Sequence, residues 1–336
     1  MLHDDAATFR KRLSDLGLSD SVIDAAWPDW WSDDAEASPS ARAELRYSLA
    51  RKLGLEPHSL LEDKEIPRFI WKEPAQFKHL SGETDGEKWA LTSFGTALGK
   101  ILLRGSSTPA FQGTRTALEF RAAILGNQTY VRFVDLLSLC WSIGIPTVHL
   151  RVFPLPRKRM AAMSVSVGTS HAILLGKDAL YPPQIAFYLA HELAHISLNH
   201  LKDNEVLVDL EQDVPSDLHE EMDSEERAAD AFALELLTGV PDPEVVPIGP
   251  GSGSRSLAKA VLDAAPDLHI EPGTLALCYG FSTGAWATAM GALPYIYGAP
   301  REVWREVNSI ALEQLSLSAL PLDTTLYLRK VLGEVG

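Results

Sequence analysis

The sequence predicts an α+β protein, mainly helical, with one small β-sheet and a small helical module in front of it. Two observations carry the prediction. Most segments read as helices, with apolar residues at helical spacing, as for Leu45, Leu49 and Leu53. Only "GIPTVHLRVF" (144–153) and "MAAMSVSVGTSHAILLG" (160–176) read as strands, the second with enough alternation for a hairpin partner. At 336 residues, 46% hydrophobic and 22% charged, the chain can bury a sizeable core without disulfides or structural metal.

Residues 1–65 are expected to form the helical module. "ATFRKRLSDLGL" and "SDSVIDAAWPDWW" read as two short helices, with Ser19 or Asp20 capping the second. A third helix follows Ser38 and closes at Gly54. Its segment "ELRYSLARKLGLEPHSLL" resembles the later helices of Cro/cI-type (Xre-like) helix-turn-helix domains, although the glutamine-rich recognition turn is absent. Residues 1–64 hold 8 Lys or Arg against 13 Asp or Glu. A DNA reader concentrates positive charge on one face, so weak DNA binding at most is expected, and protein docking is favoured. The proline-punctuated segment 66–86 reads as a linker.

The main domain is expected over 87–300. Helices fill 87–143, broken by "RGSSTPAFQGT"; the strands come next; and Pro182-Pro183 opens a helix reaching about residue 201. Between Pro272 and Pro300 there is no charged residue, but Gly291, Pro294 and Gly298 interrupt the stretch. A buried helix pair, glycine-faced at Gly280 and Gly284, is favoured over a membrane span. Residues 301–336 read as a C-terminal helical extension. The net charge of −15 opposes broad nucleic-acid affinity. Cys140 and Cys278 sit in apolar surroundings and read as core thiols. With no signal pattern at the N-terminus, a cytoplasmic location is expected.

The chemistry gathers in "AHELAHISLNH", residues 190–200. His191 and His195 lie one helical turn apart on one face, the spacing that lets two imidazoles share one ion. Glu192 stands beside them as a candidate general base. A second helix, "DSEERAADAFALELLTGVP", has Asp223 or Ser224 as its cap and Gly239 past its end. Glu226 and Asp230 share one of its faces; Glu226 can complete the ligand set, and Asp230 can accept a hydrogen bond from a ligand histidine. Glu225 is the alternative third ligand. His200 reads as a helix-end residue. Between Asp203 and Glu226 there are 11 acidic residues and no Lys or Arg, a run read as a solvated loop or, more sharply, a lid. Tyr279, Tyr295, Tyr297 and His269 are open as oxyanion donors.

Residues 125–240 resemble the ImmA/IrrE-type zinc metallopeptidases, a zincin-like family of bacterial regulatory proteases. The resemblance lies in "LLSLCWSIGIPTVHL", "HAILLGKDAL", "FYLAHELAHISLNH" and "EERAADAFALELLTGVP". It implies one zinc per chain on His191, His195 and Glu226, with Glu192 as the base. It also implies a protein substrate, an Xre-type repressor or antitoxin cleaved in stress, mobile-element or toxin–antitoxin control. The metzincin pattern does not fit, since Leu198 and Leu201 stand where glycine and histidine are required. The substrate is expected either to add as a strand beside "MSVSVG" or to find that segment already used in the sheet core. A non-catalytic partner-binding regulator and a toxin component are the rival functions.

Overall fold

The computed structural model describes residues 5–61, 65–70, 76–78, 84–157, 160–202, 205–210, 224–243 and 253–334. Helix α1 (Ala6–Asp15) starts at Asp5, whose carboxylate accepts from the Thr8 N–H, and α2 (Asp20–Ala26) starts at Ser19, which accepts from the Val22 N–H. A short helix not expected from the sequence, α3 (Asp33–Ala37), is capped by Ser32. Next come α4 (Pro39–Leu53), with proline in its first turn, and α5 (Pro57–Leu61). Leu45, Leu49 and Leu53 are buried, as their spacing demands.

α4 ends at Gly54 with φ +70°, the left-handed conformation glycine adopts without a Cβ penalty. A Cβ there would sit 2.3 Å from the Ser93 carbonyl oxygen, so the module packs backbone to backbone on the helix that carries Ser93, Asp85–Gly105. Gly54→Ala therefore combines a left-handed alanine with an overpacked contact. The expected loss is about 2–4 kcal/mol, read as a lower urea midpoint at unchanged slope.

The segment expected as a linker contributes an edge strand, β1 (Gln76–Lys78). After it run α6 (Asp85–Gly105) and α7 (Ala117–Leu125), each opened by a Thr/Glu capping box, and then α8 (Phe133–Ser142). β2 (Thr147–His149) precedes the expected hairpin, β3 (Met160–Val167) and β4 (Ser170–Leu175). Helix α9 (Pro182–Ser197), strand β5 (Val206–Leu210) and helix α10 (Ser224–Thr238) complete the central region.

The mixed sheet has the order β1-β5-β3-β4-β2. β3 is antiparallel to both β4 and β5, while β1 is parallel to β5 and β2 to β4. Both faces of β3 are covered. Gly95 and Gly99 of α6 lie against Met163 and Val165, and Ser164, of opposite parity, bonds Glu192 of α9. Two expectations change here. β3 has neighbours on both sides and offers no edge to a substrate, so "MSVSVG" plays its sheet-core role. The neighbour on one side comes from the acidic run itself, because Val206, Leu207 and Val208 are buried as β5 rather than lying in a solvated loop. Residues 211–223, where a lid and the Asp223 cap were expected, lie outside the described residues.

Helix α11 (Ser254–Leu268) packs on the expected uncharged pair, α12 (Pro272–Thr283) and α13 (Trp286–Tyr297). A Cβ on Gly280 would fall 2.8 Å from that of Ala289, so this glycine lets the pair close up. Among the described residues no helix is long and apolar enough to cross a membrane. Helices α14 (Val303–Gln314) and α15 (Leu322–Val331) finish the chain. Cys140 and Cys278 are buried free thiols, pushed up to about 12 by burial, which makes them inert core residues.

The larger of two hydrophobic clusters among the described residues runs from Phe9 through the sheet to Leu332, across the boundaries expected near residues 65 and 301. Lys52, only 2% exposed, ties the ends together by donating to the Ala26 carbonyl and to Asp323 of α15 at 2.7 Å. Burial pulls the Lys52 ammonium below its ordinary range, and Asp323 opposes that pull. Removing the counter-ion leaves a buried charge without compensation, so Asp323→Ala is expected to cost about 3 kcal/mol in chemical denaturation. Lys52→Met removes the more deeply buried charge and leaves Asp323 partly exposed with the Ser48 hydroxyl still donating to it, so it should cost markedly less.

Candidate metal centre

Helix α9 lies under the sheet with its last two turns wholly buried, so His191, Glu192 and His195 are 5%, 0% and 0% exposed. Polar groups at such depth need partners. Among the described residues, α10, the turn that ends α9 and β3 supply partners.

From α10, Glu226 enters the core at 4% exposure and places its carboxylate 3.3 Å from His191 Nε2 and 3.5 Å from His195 Nε2. The two Nε2 atoms are 2.9 Å apart. His191, His195 and Glu226 thus form a buried group able to hold a metal ion, with their ligand atoms all within 4.8 Å of one another. Glu225, half-buried and about 100° around the helix, is not part of it. Ser224, offered as a cap, is the first helical residue.

Asp230, one turn along α10, accepts from His191 Nδ1 at 2.9 Å, in the role the i, i+4 spacing predicts. A carboxylate acceptor at Nδ1 favours hydrogen on that atom, the tautomer that leaves the Nε2 lone pair for an ion. That is the form a metal ligand requires.

The donor set fits zinc: two imidazoles and one carboxylate leave one tetrahedral position open. Ligand atoms about 2.0–2.1 Å from one ion lie about 3.3 Å apart in that geometry. The His–Glu separations are of this size but run to different carboxylate oxygens, Oε2 for His191 and Oε1 for His195, so the carboxylate has to turn and the His–His separation has to widen by a few tenths of an ångström.

Two polar neighbours had not been expected. Ser164 of β3 donates its hydroxyl to Glu192, the glutamate next in sequence to His191, and so orients its carboxylate. His200, read as a helix-end residue, brings its Nδ1 to 2.9 Å from His195 Nδ1. Of the oxyanion candidates, Tyr297 donates to Glu271 and stacks on Tyr181, and His269 Nδ1 meets the Thr129 carbonyl at 2.9 Å. Tyr295 lies exposed beneath Arg255. Comparison of the chain with protein families, with curated proteins and with solved structures gave no match.

Proposed function

We propose that this protein is a zinc-dependent endopeptidase of the zincin type that cleaves a regulatory protein in the cytoplasm. The observation that carries the reading is the convergence of His191, His195 and Glu226 from two helices, with a glutamate, Glu192, next in sequence to one ligand and three before the other. A partner-binding module has no use for a buried carboxylate at that position.

Bound zinc would supply Lewis acidity, polarising a scissile carbonyl and lowering the pKa of a coordinated water to about 7. The remaining work falls to the chain. His191, His195 and Glu226 would hold the ion, with Asp230 orienting the His191 ring. Glu192 takes a proton from the attacking water and delivers it to the leaving amine, a contribution of about 10²–10⁴ in rate. The Ser164 hydroxyl donates to Glu192 Oε2 and so orients the carboxylate that handles the proton.

The substrate class, an Xre-type repressor or antitoxin, is supported by the resemblance of residues 125–240 to the ImmA/IrrE-type proteases and of 44–61 to Xre-like helices. DNA is disfavoured as a partner. In the N-terminal module Arg10 is engaged by Asp24, Arg42 by the Glu36 carbonyl, Arg46 by the Leu61 carbonyl and Lys52 by Asp323. These cations stabilise the module rather than forming a free basic face.

The test is incubation of the zinc-loaded protein with candidate Xre-type repressors, followed by intact-mass spectrometry. A discrete cut, abolished by a chelator and by Glu192→Gln, is expected. A stable complex that is never cut would favour the partner-binding regulator instead.

A further inference from the structure

The two candidate histidine ligands are oriented by different kinds of acceptor. Behind His191 stands a carboxylate; behind His195 stands another imidazole, that of His200, at 2.9 Å between Nδ1 atoms. Two facing ring nitrogens bond only if one carries hydrogen and the other does not, so the tautomers of His195 and His200 are locked together. Coordination through His195 Nε2 requires the hydrogen on His195 Nδ1. His200 then accepts at Nδ1 and carries its own hydrogen on Nε2.

The backbone is built to hold this arrangement. Asn199 adopts φ +56°, a left-handed conformation asparagine tolerates, and folds the chain back at the end of α9. The His200 N–H consequently donates to the His195 carbonyl at 2.9 Å. One residue is thus bound twice to His195, once through its backbone and once through its ring. The rings stand 5.1 Å apart at 61°, edge to face rather than stacked.

We infer that His200 is a positioning residue for the metal centre, which fixes the tautomer and ring orientation of His195 so that its Nε2 lone pair meets the ion. This rests on the reading of His191, His195 and Glu226 as a zinc site. Without His200, His195 Nδ1 faces water or an alternative acceptor and both tautomers become populated. Loss of such an outer partner typically weakens metal affinity by about 10–100-fold.

The experiment is chelator competition with zinc on full-length wild type, His200→Ala and His200→Asn, with the melting temperature of each metal-free protein recorded alongside. Asparagine places an amide oxygen where His200 Nδ1 stood and can accept the same hydrogen. The expected result is zinc binding weakened about 10–100-fold by alanine and largely restored by asparagine. The metal-free melting temperatures should stay together. In zinc-loaded wild type, long-range proton–nitrogen NMR should find hydrogen on His195 Nδ1 and none on His200 Nδ1. Affinity unchanged by alanine, asparagine as weak as alanine, or hydrogen on His200 Nδ1 would each overturn the inference. Should the alanine variant fail to fold, the asparagine variant and the NMR pattern decide. Wild type that takes up no zinc defeats the zinc reading itself, a result distinct from wild-type binding that alanine leaves untouched.

Discussion

Glu192→Gln is expected to keep zinc and lose about 10²–10⁴ in the rate of peptide hydrolysis. Glutamine preserves the volume of a side chain that is fully buried, and its amide oxygen can still accept from Ser164. What it cannot do is take a proton. The ligand atoms on His191, His195 and Glu226 are untouched, so affinity for the ion should move little. The effect belongs in the turnover number, with the Michaelis constant nearly constant, because a general base acts in the transition state. Steady-state kinetics on the repressor substrate, with zinc occupancy of both proteins measured, separates the two quantities. Equal turnover in wild type and variant removes Glu192 from the chemistry.

The second large effect is on metal affinity. Glu226→Ala deletes the only carboxylate of the cluster and leaves two imidazoles facing each other at 2.9 Å. Asp230→Ala deletes only the acceptor behind His191. The expected order is therefore a loss of about 10–100-fold for Asp230→Ala and a clearly larger loss for Glu226→Ala. Competition with a coloured chelator at fixed pH reads both. An Asp230 variant weaker than the Glu226 variant would mean that Asp230, not Glu226, is the ligand.

Much of the candidate centre was legible because it is helical and local. His191 with His195, and Glu226 with Asp230, are i, i+4 pairs, and a helix turns that spacing into a shared face whatever surrounds it. Glu226 over Glu225 was legible for the same reason, since only the former is in phase with Asp230. His200 was hidden because its position depends on one left-handed residue, Asn199, which reverses the chain beyond the last turn. Ser164 was hidden because its partner is set by which face of β3 packs on α9, a fact of sheet assembly with no local trace. The strand β5 does carry an apolar stretch, Val206, Leu207 and Val208, but the surrounding carboxylates made a solvated loop the natural reading. The union of the N-terminal module with the rest of the core rests on contacts such as Lys52 to Asp323, 271 residues apart, which no window of sequence displays.

Elemental analysis of the purified full-length protein, run beside Glu225→Ala and Glu226→Ala, tests the metal centre most directly. Near one zinc per chain in wild type and in the Glu225 variant, and almost none in the Glu226 variant, is the expected result. Wild type that remains metal-free after zinc is supplied, or zinc retained without Glu226, would contradict it.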